Sequence, residues 1–299
     1  MSDDIQLRPE DVPEARHLPR VLRRAGTVLG AVREIGWFGV DVALYPVGFL
    51  AGSASERMTE RWLQHHRPLP VDIDCELRGT PIVMVHGYFH NRSGFFVMRR
   101  ALRRVGFAHL YDVNLPIGRR DVRSLAARLA ERVDEVLAAT GADRVHLIGH
   151  SLGGIAARYY VQRLGGADRV DTVMTLGSPH GGTLAAFAAP TRVARQLRPG
   201  SRFLEELDRT AEPSGVRWVA FSSNLDAFVL PSRNARLEVP ALNAENVDIR
   251  DLGHMSLLVS PDLIHEVVVR LARREAGVVR HIDTARSRRS RRATSRTAV

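Results

Sequence analysis

The chain of 299 residues contains no lysine, so all 43 of its basic residues are arginine, and it contains a single cysteine, Cys75. One cysteine excludes an intramolecular disulfide and any zinc site built on several thiolates. Cys75 stands among Asp72, Asp74 and Glu76. Carboxylates raise a thiol pKa and disfavour the thiolate, so this cysteine is expected to be structural and not a nucleophile. Aromatic residues are sparse at 6%, yet hydrophobic residues reach 44%, which is ordinary globular usage and enough for a packed core. A clean apolar run of spanning length is also missing. The densest stretch, residues 35–50, carries Asp41 in its middle, follows Arg33-Glu34 and contains Pro46. Such a run suits a helix packed on the domain or lying at a membrane surface better than a spanning one. Arg23-Arg24 precedes it as in a twin-arginine signal, but the internal charges and the lack of a small-residue cleavage site count against an export signal. A cytoplasmic or peripheral membrane location is therefore expected, with secretion left open.

Charge of one sign is in excess, with a net +10, but the excess is local. Arg286, Arg288, Arg289, Arg291, Arg292 and Arg296 lie in the last 14 residues without an acid, and removing those six leaves +4. Residues 277–299 are too polar to fold and read as a disordered tail. No nucleic-acid recognition motif accompanies it, so nucleic acid is not the expected partner, and tethering to anionic lipid stays open as a role.

Three zones follow. Residues 1–70 form an N-terminal extension with an apolar helical part, 78–275 a compact α/β domain, and 277–299 the tail. Within the domain, short apolar runs alternate with helical patterns. Strands are expected at Pro81–Val85, Leu110–Val113, Arg144–Ile148, Val173–Leu176 and Val216–Phe221, with a sixth around Val247–Ile249. A helix capped by Asp121 and ended by Gly141 repeats Val122, Leu125, Ala126, Leu129, Val133, Val136 and Leu137 at helical spacing. A last helix opens with Ser260 and Pro261. Strands separated by helices predict a mostly parallel sheet flanked by helices.

The chemistry concentrates in Gly149-His150-Ser151-Leu152-Gly153-Gly154, directly after one strand and before a helical run. In that setting G-x-S-x-G presents a serine hydroxyl on a sharp turn above the sheet. Serine needs a base, and on this architecture the order is Ser, then acid, then His. His254, in the loop between the last strand and last helix, is the expected base over His180, His265 and His281. Asp226, in the loop after the fifth strand, is the expected acid over Asp208, Asp248 and Asp251. Backbone N–H groups of Leu152 and Tyr88 are the expected oxyanion donors, and His86 is expected to brace the loop between them. This chemistry calls for no metal or organic cofactor.

These motifs together resemble the bacterial triacylglycerol lipases of the α/β-hydrolase superfamily. Pro81-Ile82-Val83-Met84-Val85-His86-Gly87-Tyr88 is similar to their oxyanion strand and residues 149–154 to their elbow. Leu176-Gly177-Ser178-Pro179-His180-Gly181-Gly182-Thr183, the stretch 196–204, Asp226 and Asp251-Leu252-Gly253-His254 match the later segments in order. The resemblance covers residues 80–272 and implies hydrolysis of acyl esters of lipid-like substrates. Acyl transfer and thioester hydrolysis remain alternatives on the same residues, and the extension leaves peripheral membrane contact open. Residues 184–207 fit either a lid over an acyl pocket or an ordinary surface helix pair.

Overall fold

The computed structural model describes residues 79–273 apart from 89–90 and 116–119. The expected extension, the tail and Cys75 lie outside the described residues. Six strands form one sheet: β1 (Ile82–Val85), β2 (Leu110–Val113), β3 (Val145–His150), β4 (Val170–Leu176), β5 (Arg217–Ser223) and β6 (Glu245–Ile249). Their order is β2-β1-β3-β4-β5-β6 and every neighbouring pair is parallel. The chain runs outward from β1 to β2, then crosses to the other side of β1 to make β3. In open parallel sheets, ligands bind at the carboxyl ends of the strands where the winding reverses. Here that crevice lies between the ends of β1 and β3, where Gly87 and Ser151 stand.

Helices cover both faces. On one side lie α2 (Val122–Thr140), α3 (Leu152–Arg163), α4 (Arg192–Gln196) and α5 (Arg202–Arg209), and on the other α1 (Phe96–Arg104) and α6 (residues 261–273). β1 and β3 are buried on both faces, and β1 accordingly reads as an unbroken apolar run and not as an alternating one.

α2 follows its sequence closely. Asp121 accepts from the Ser124 N–H at 2.9 Å as N-cap, and Gly141 ends the helix in the left-handed region at φ 68°. Its buried residues are the seven read from the helical spacing. Each buried Val or Leu contributes roughly 1.5–3 kcal/mol over leaving it exposed. α6 begins at Pro261, with Ser260 Oγ accepting from the Leu263 N–H at 3.4 Å. Helix α1 was not expected from the sequence. Its four arginines hide a short apolar face of Met98, Ala101 and Leu102, and one of them, Arg99, is ion-paired with Asp112 on β2.

Residues 184–207 are not a separate flap over the site. Val193, Ala194, Leu197, Phe203, Leu204 and Leu207 belong to the same core as α2 and α3. Arg158 on α3 is fully buried and donates to Asp208 on α5 at 2.6 Å, and Arg123 on α2 pairs with Glu206. Only the turn Leu184–Phe187 turns large apolar side chains outward.

The loop after β1 is braced by His86. Its Nε2 accepts the Leu115 N–H at 2.8 Å, so the ring proton sits on Nδ1, which donates to the Gly87 carbonyl at 2.9 Å. Burial lowers the His86 pKa from 6.5 to about 4, opposed by the Gly87 bond. The folded protein thus prefers the neutral ring, while the unfolded chain takes a proton near 6.5.

Two outcomes are expected. Asp121→Ala should lower unfolding stability by about 1 kcal/mol in a urea titration. Stability should be fully present above pH 6.5 and fall as pH drops from 6.5 to about 4, with an initial slope that is shallower in His86→Asn; matched urea midpoints at pH 7 and pH 4.5 check this.

Candidate active site

Strand β3 delivers Ser151 to its carboxyl end. The residue sits at φ 53°, ψ −123°, between the last residue of β3 and the first of α3. A non-glycine residue there costs on the order of 1–3 kcal/mol and persists only when its surroundings fix it. They do: the Ser151 N–H donates to the Leu176 carbonyl on β4 at 2.9 Å. Helix α3 then approaches β1 so closely that a Cβ on Gly153 would lie 2.1 Å from the Val85 carbonyl oxygen. A Cβ on Gly149 would lie 2.6 Å from the Gly154 backbone. The two glycines are thus required by the packing of helix on strand. Ser151 itself stays partly open to solvent.

Strand β5 delivers Asp226 and the segment after β6 delivers His254. The structure brings them together: His254 Nδ1 donates to Asp226 Oδ2 at 2.8 Å. The other carboxylate oxygen accepts the N–H groups of Phe228 and Val229, both at 2.9 Å. The Asp226 side chain is fully buried, so these donors replace the water that a buried carboxylate has lost. With Nδ1 engaged, Nε2 is the nitrogen of His254 left for exchange with a reacting group.

Two further rings pack on His254. His150, the residue before Ser151, lies 4.5 Å away between centroids and its Nε2 donates to the His254 carbonyl at 3.1 Å. Phe228 lies 5.0 Å away at 30°. The loop after β1 closes the far side. A Cβ on Gly87 would stand 3.0 Å from both Ser151 Cβ and His150 Nδ1, which puts the backbone of residues 87–88 against the serine. Leu152, first residue of α3, is buried with its N–H at the helix start, among the groups that find no partner within the helix. The Tyr88 hydroxyl donates to Thr191 Oγ1 at 2.9 Å, tying this loop to the cap of α4.

All five residues expected from the sequence, Ser151, Asp226, His254, Tyr88 and Leu152, therefore gather at one end of the sheet. The residues weighed against them are engaged elsewhere. Asp208 pairs with Arg158, Asp248 with Ser222 and Arg236, and Asp251 with Asn224. His180 is buried against Thr175 Oγ1 at 3.0 Å, and burial, with Arg158 nearby, holds its pKa well below 6.5. His265 lies within α6, and His281 is outside the described residues. Sequence reasoning missed the parts played by His150, Phe228 and Thr183. The Thr183 hydroxyl donates to the Phe228 carbonyl at 2.6 Å and accepts the Leu230 N–H at 3.0 Å, pinning the acid loop. Nothing in the local sequence marks these, because the bonds of His150 and Thr183 span 104 and 45 residues and Phe228 meets His254 only through the fold.

The pattern of the palmitoyl protein thioesterase family matches residues 81–222. A triacylglycerol lipase of Burkholderia plantarii is 34% identical over 161 residues, which is 51% of this chain and 41% of that protein. One of Vibrio cholerae serotype O1 is 34% identical over 111 residues, 36% of this chain and 34% of that protein. The chain thus matches well under half the length of these curated relatives. Among solved structures, the mature Bacillus licheniformis lipase BlEst2 superposes with a TM-score of 0.57 at 21% identity, covering 68% of this chain and 95% of that one. Aspergillus fumigatus lipase B gives 0.55 at 17% identity, over 67% and 54%. The parallel sheet, the strained serine between β3 and α3 and these superpositions show that the chain has the α/β-hydrolase fold.

Proposed function

We propose that the protein hydrolyses carboxylic esters of lipid-like acyl groups through a Ser151–His254–Asp226 triad. The observation that carries this reading is the union, at one end of the sheet, of a serine in strained backbone with a histidine held by a buried carboxylate. His254 takes the proton of Ser151, and Ser151 attacks the ester carbonyl. Asp226 holds the ring with its proton on Nδ1 and stabilises the imidazolium that forms. The N–H groups of Tyr88 and Leu152 receive the charge that develops on the carbonyl oxygen, each such donor being worth roughly 2.7–4 kcal/mol. The alcohol departs with the proton from His254, and water activated by the same base releases the acid.

The apolar character of the mouth supports the lipid-like substrate. Leu184, Phe187, Phe228 and Leu230 are 56%, 57%, 37% and 41% exposed. The Leu184 N–H donates to the Leu230 carbonyl, and Phe228 packs on His254. Arg198 lies over the Phe187 ring at 4.7 Å. An apolar lip beside the base suits an acyl chain, and with its arginine it suits peripheral contact with a lipid surface. No described helix is long and apolar enough to cross a membrane.

A second reading, thioester hydrolysis, is favoured by the family pattern matched over residues 81–222. It uses the same residues with a thiolate as leaving group. Parallel rates on palmitoyl-CoA and p-nitrophenyl palmitate separate the two.

Wild-type protein should turn over a p-nitrophenyl ester series from acetate to palmitate, and Ser151→Ala should lose several orders of magnitude of kcat. A Ser151→Ala protein with half the wild-type rate would sink the assignment. Replacing Leu184 and Phe187 together by serine should lower kcat/KM on the palmitate ester by about tenfold and leave the acetate ester nearly unchanged. Equal losses on both esters would remove the lip from substrate binding.

A further inference from the structure

We infer that His150 is a positioning residue that keeps the base in register with the nucleophile. The inference rests on the triad reading above. His150 is buried, at 1% exposure, and it immediately precedes Ser151. A carbonyl oxygen only accepts, so the bond to His254 O requires the His150 proton on Nε2. That fixes the tautomer, with the proton on Nε2.

Three bonds tie the base loop to the β5 side. Ser223 Oγ donates to the Leu252 carbonyl, Asn224 Oδ1 accepts the Asp251 N–H at 2.7 Å, and Asp226 holds the imidazole. These bonds set His254 relative to the acid. None of them sets it relative to Ser151, which belongs to β3 and hangs from β4 through its own N–H. The His150 bond supplies that relation. It runs from the residue adjoining the nucleophile to the backbone of the base itself, and the ring contact at 4.5 Å and 45° keeps the two imidazoles from sliding. Proton transfer from Ser151 to His254 depends on a separation near 3 Å, and a misplacement of about 1 Å costs on the order of a hundredfold.

Three variants of the full-length chain test this, on the fastest ester of the p-nitrophenyl series. His150→Phe keeps the ring and loses the donor. His150→Gln loses the ring but returns an amide N–H near the position of Nε2. His150→Asn carries an amide that stops near the position of Nδ1. The expected result is a kcat loss of about tenfold to a hundredfold in His150→Phe, with KM and the melting temperature close to wild type. His150→Gln should recover most of that loss and His150→Asn should not. If His150→Phe does not fold, the contrast between Gln and Asn carries the test. Full kcat in His150→Phe, or equal losses in Gln and Asn, would overturn the inference and leave His150 as packing alone. A wild-type protein inert on every ester would overturn the hydrolase reading and this inference together, whereas an active wild type with a fully active His150→Phe overturns only the latter.

Discussion

The approach of helix α3 to strand β1 is the constraint on which the rest of the site depends. The Gly153 backbone meets the Val85 carbonyl oxygen at a distance that excludes any side chain. The chain can leave β3 and enter so close a helix only by passing through a positive φ, and that residue is Ser151. The strain stored there, on the order of 1–3 kcal/mol, is offset by a helix buried along nearly its whole length, with Leu152, Ile155, Ala156, Ala157, Tyr160 and Val161 in the core. The turn also sets the start of α3, and with it the Leu152 N–H, beside the backbone of residues 87–88.

Around this fixed serine the charges are sorted by their partners. Asp226 stays buried because two backbone N–H groups and an imidazole surround it. His86 and His180 are buried without a carboxylate partner, and burial drives both toward the neutral form. Three of the buried histidines thus have distinct tasks. His86 shapes a loop, His180 anchors the segment after β4, and His254 faces a carboxylate that can hold a second proton on its ring.

Much of this was legible in the sequence, for identifiable reasons. The strand at Ile82–Val85 is buried on both faces and so prints as an apolar run, and α2 has one wide buried face that prints as a helical repeat. The strained turn at Ser151 and the meeting of Asp226 with His254 were foreshadowed because each residue follows a different strand in a fixed order. α1 was not legible, because its buried face is only three residues wide and arginines surround it. The stretch 184–207 was ambiguous because its short helices bury through long-range packing with α2 and α3, which leaves little periodic signal over five or eight residues. His150 and Thr183 were invisible as functional groups, since their partners are set by tertiary contact alone.

The wiring of the sheet also bears on how the site comes into being. His150 and its partner His254 are 104 residues apart, and the base arrives only with the segment after the edge strand β6. On a ribosome adding ~5–20 residues per second, the segment bearing the nucleophile precedes the base by roughly 5–20 s. Parallel strands pair only after long loops have closed, so this assembly is slow and late. On the proposed triad, a nascent chain would carry an exposed Ser151 before His254 is in place, and esters in its surroundings would be safe from it until the last strand docks.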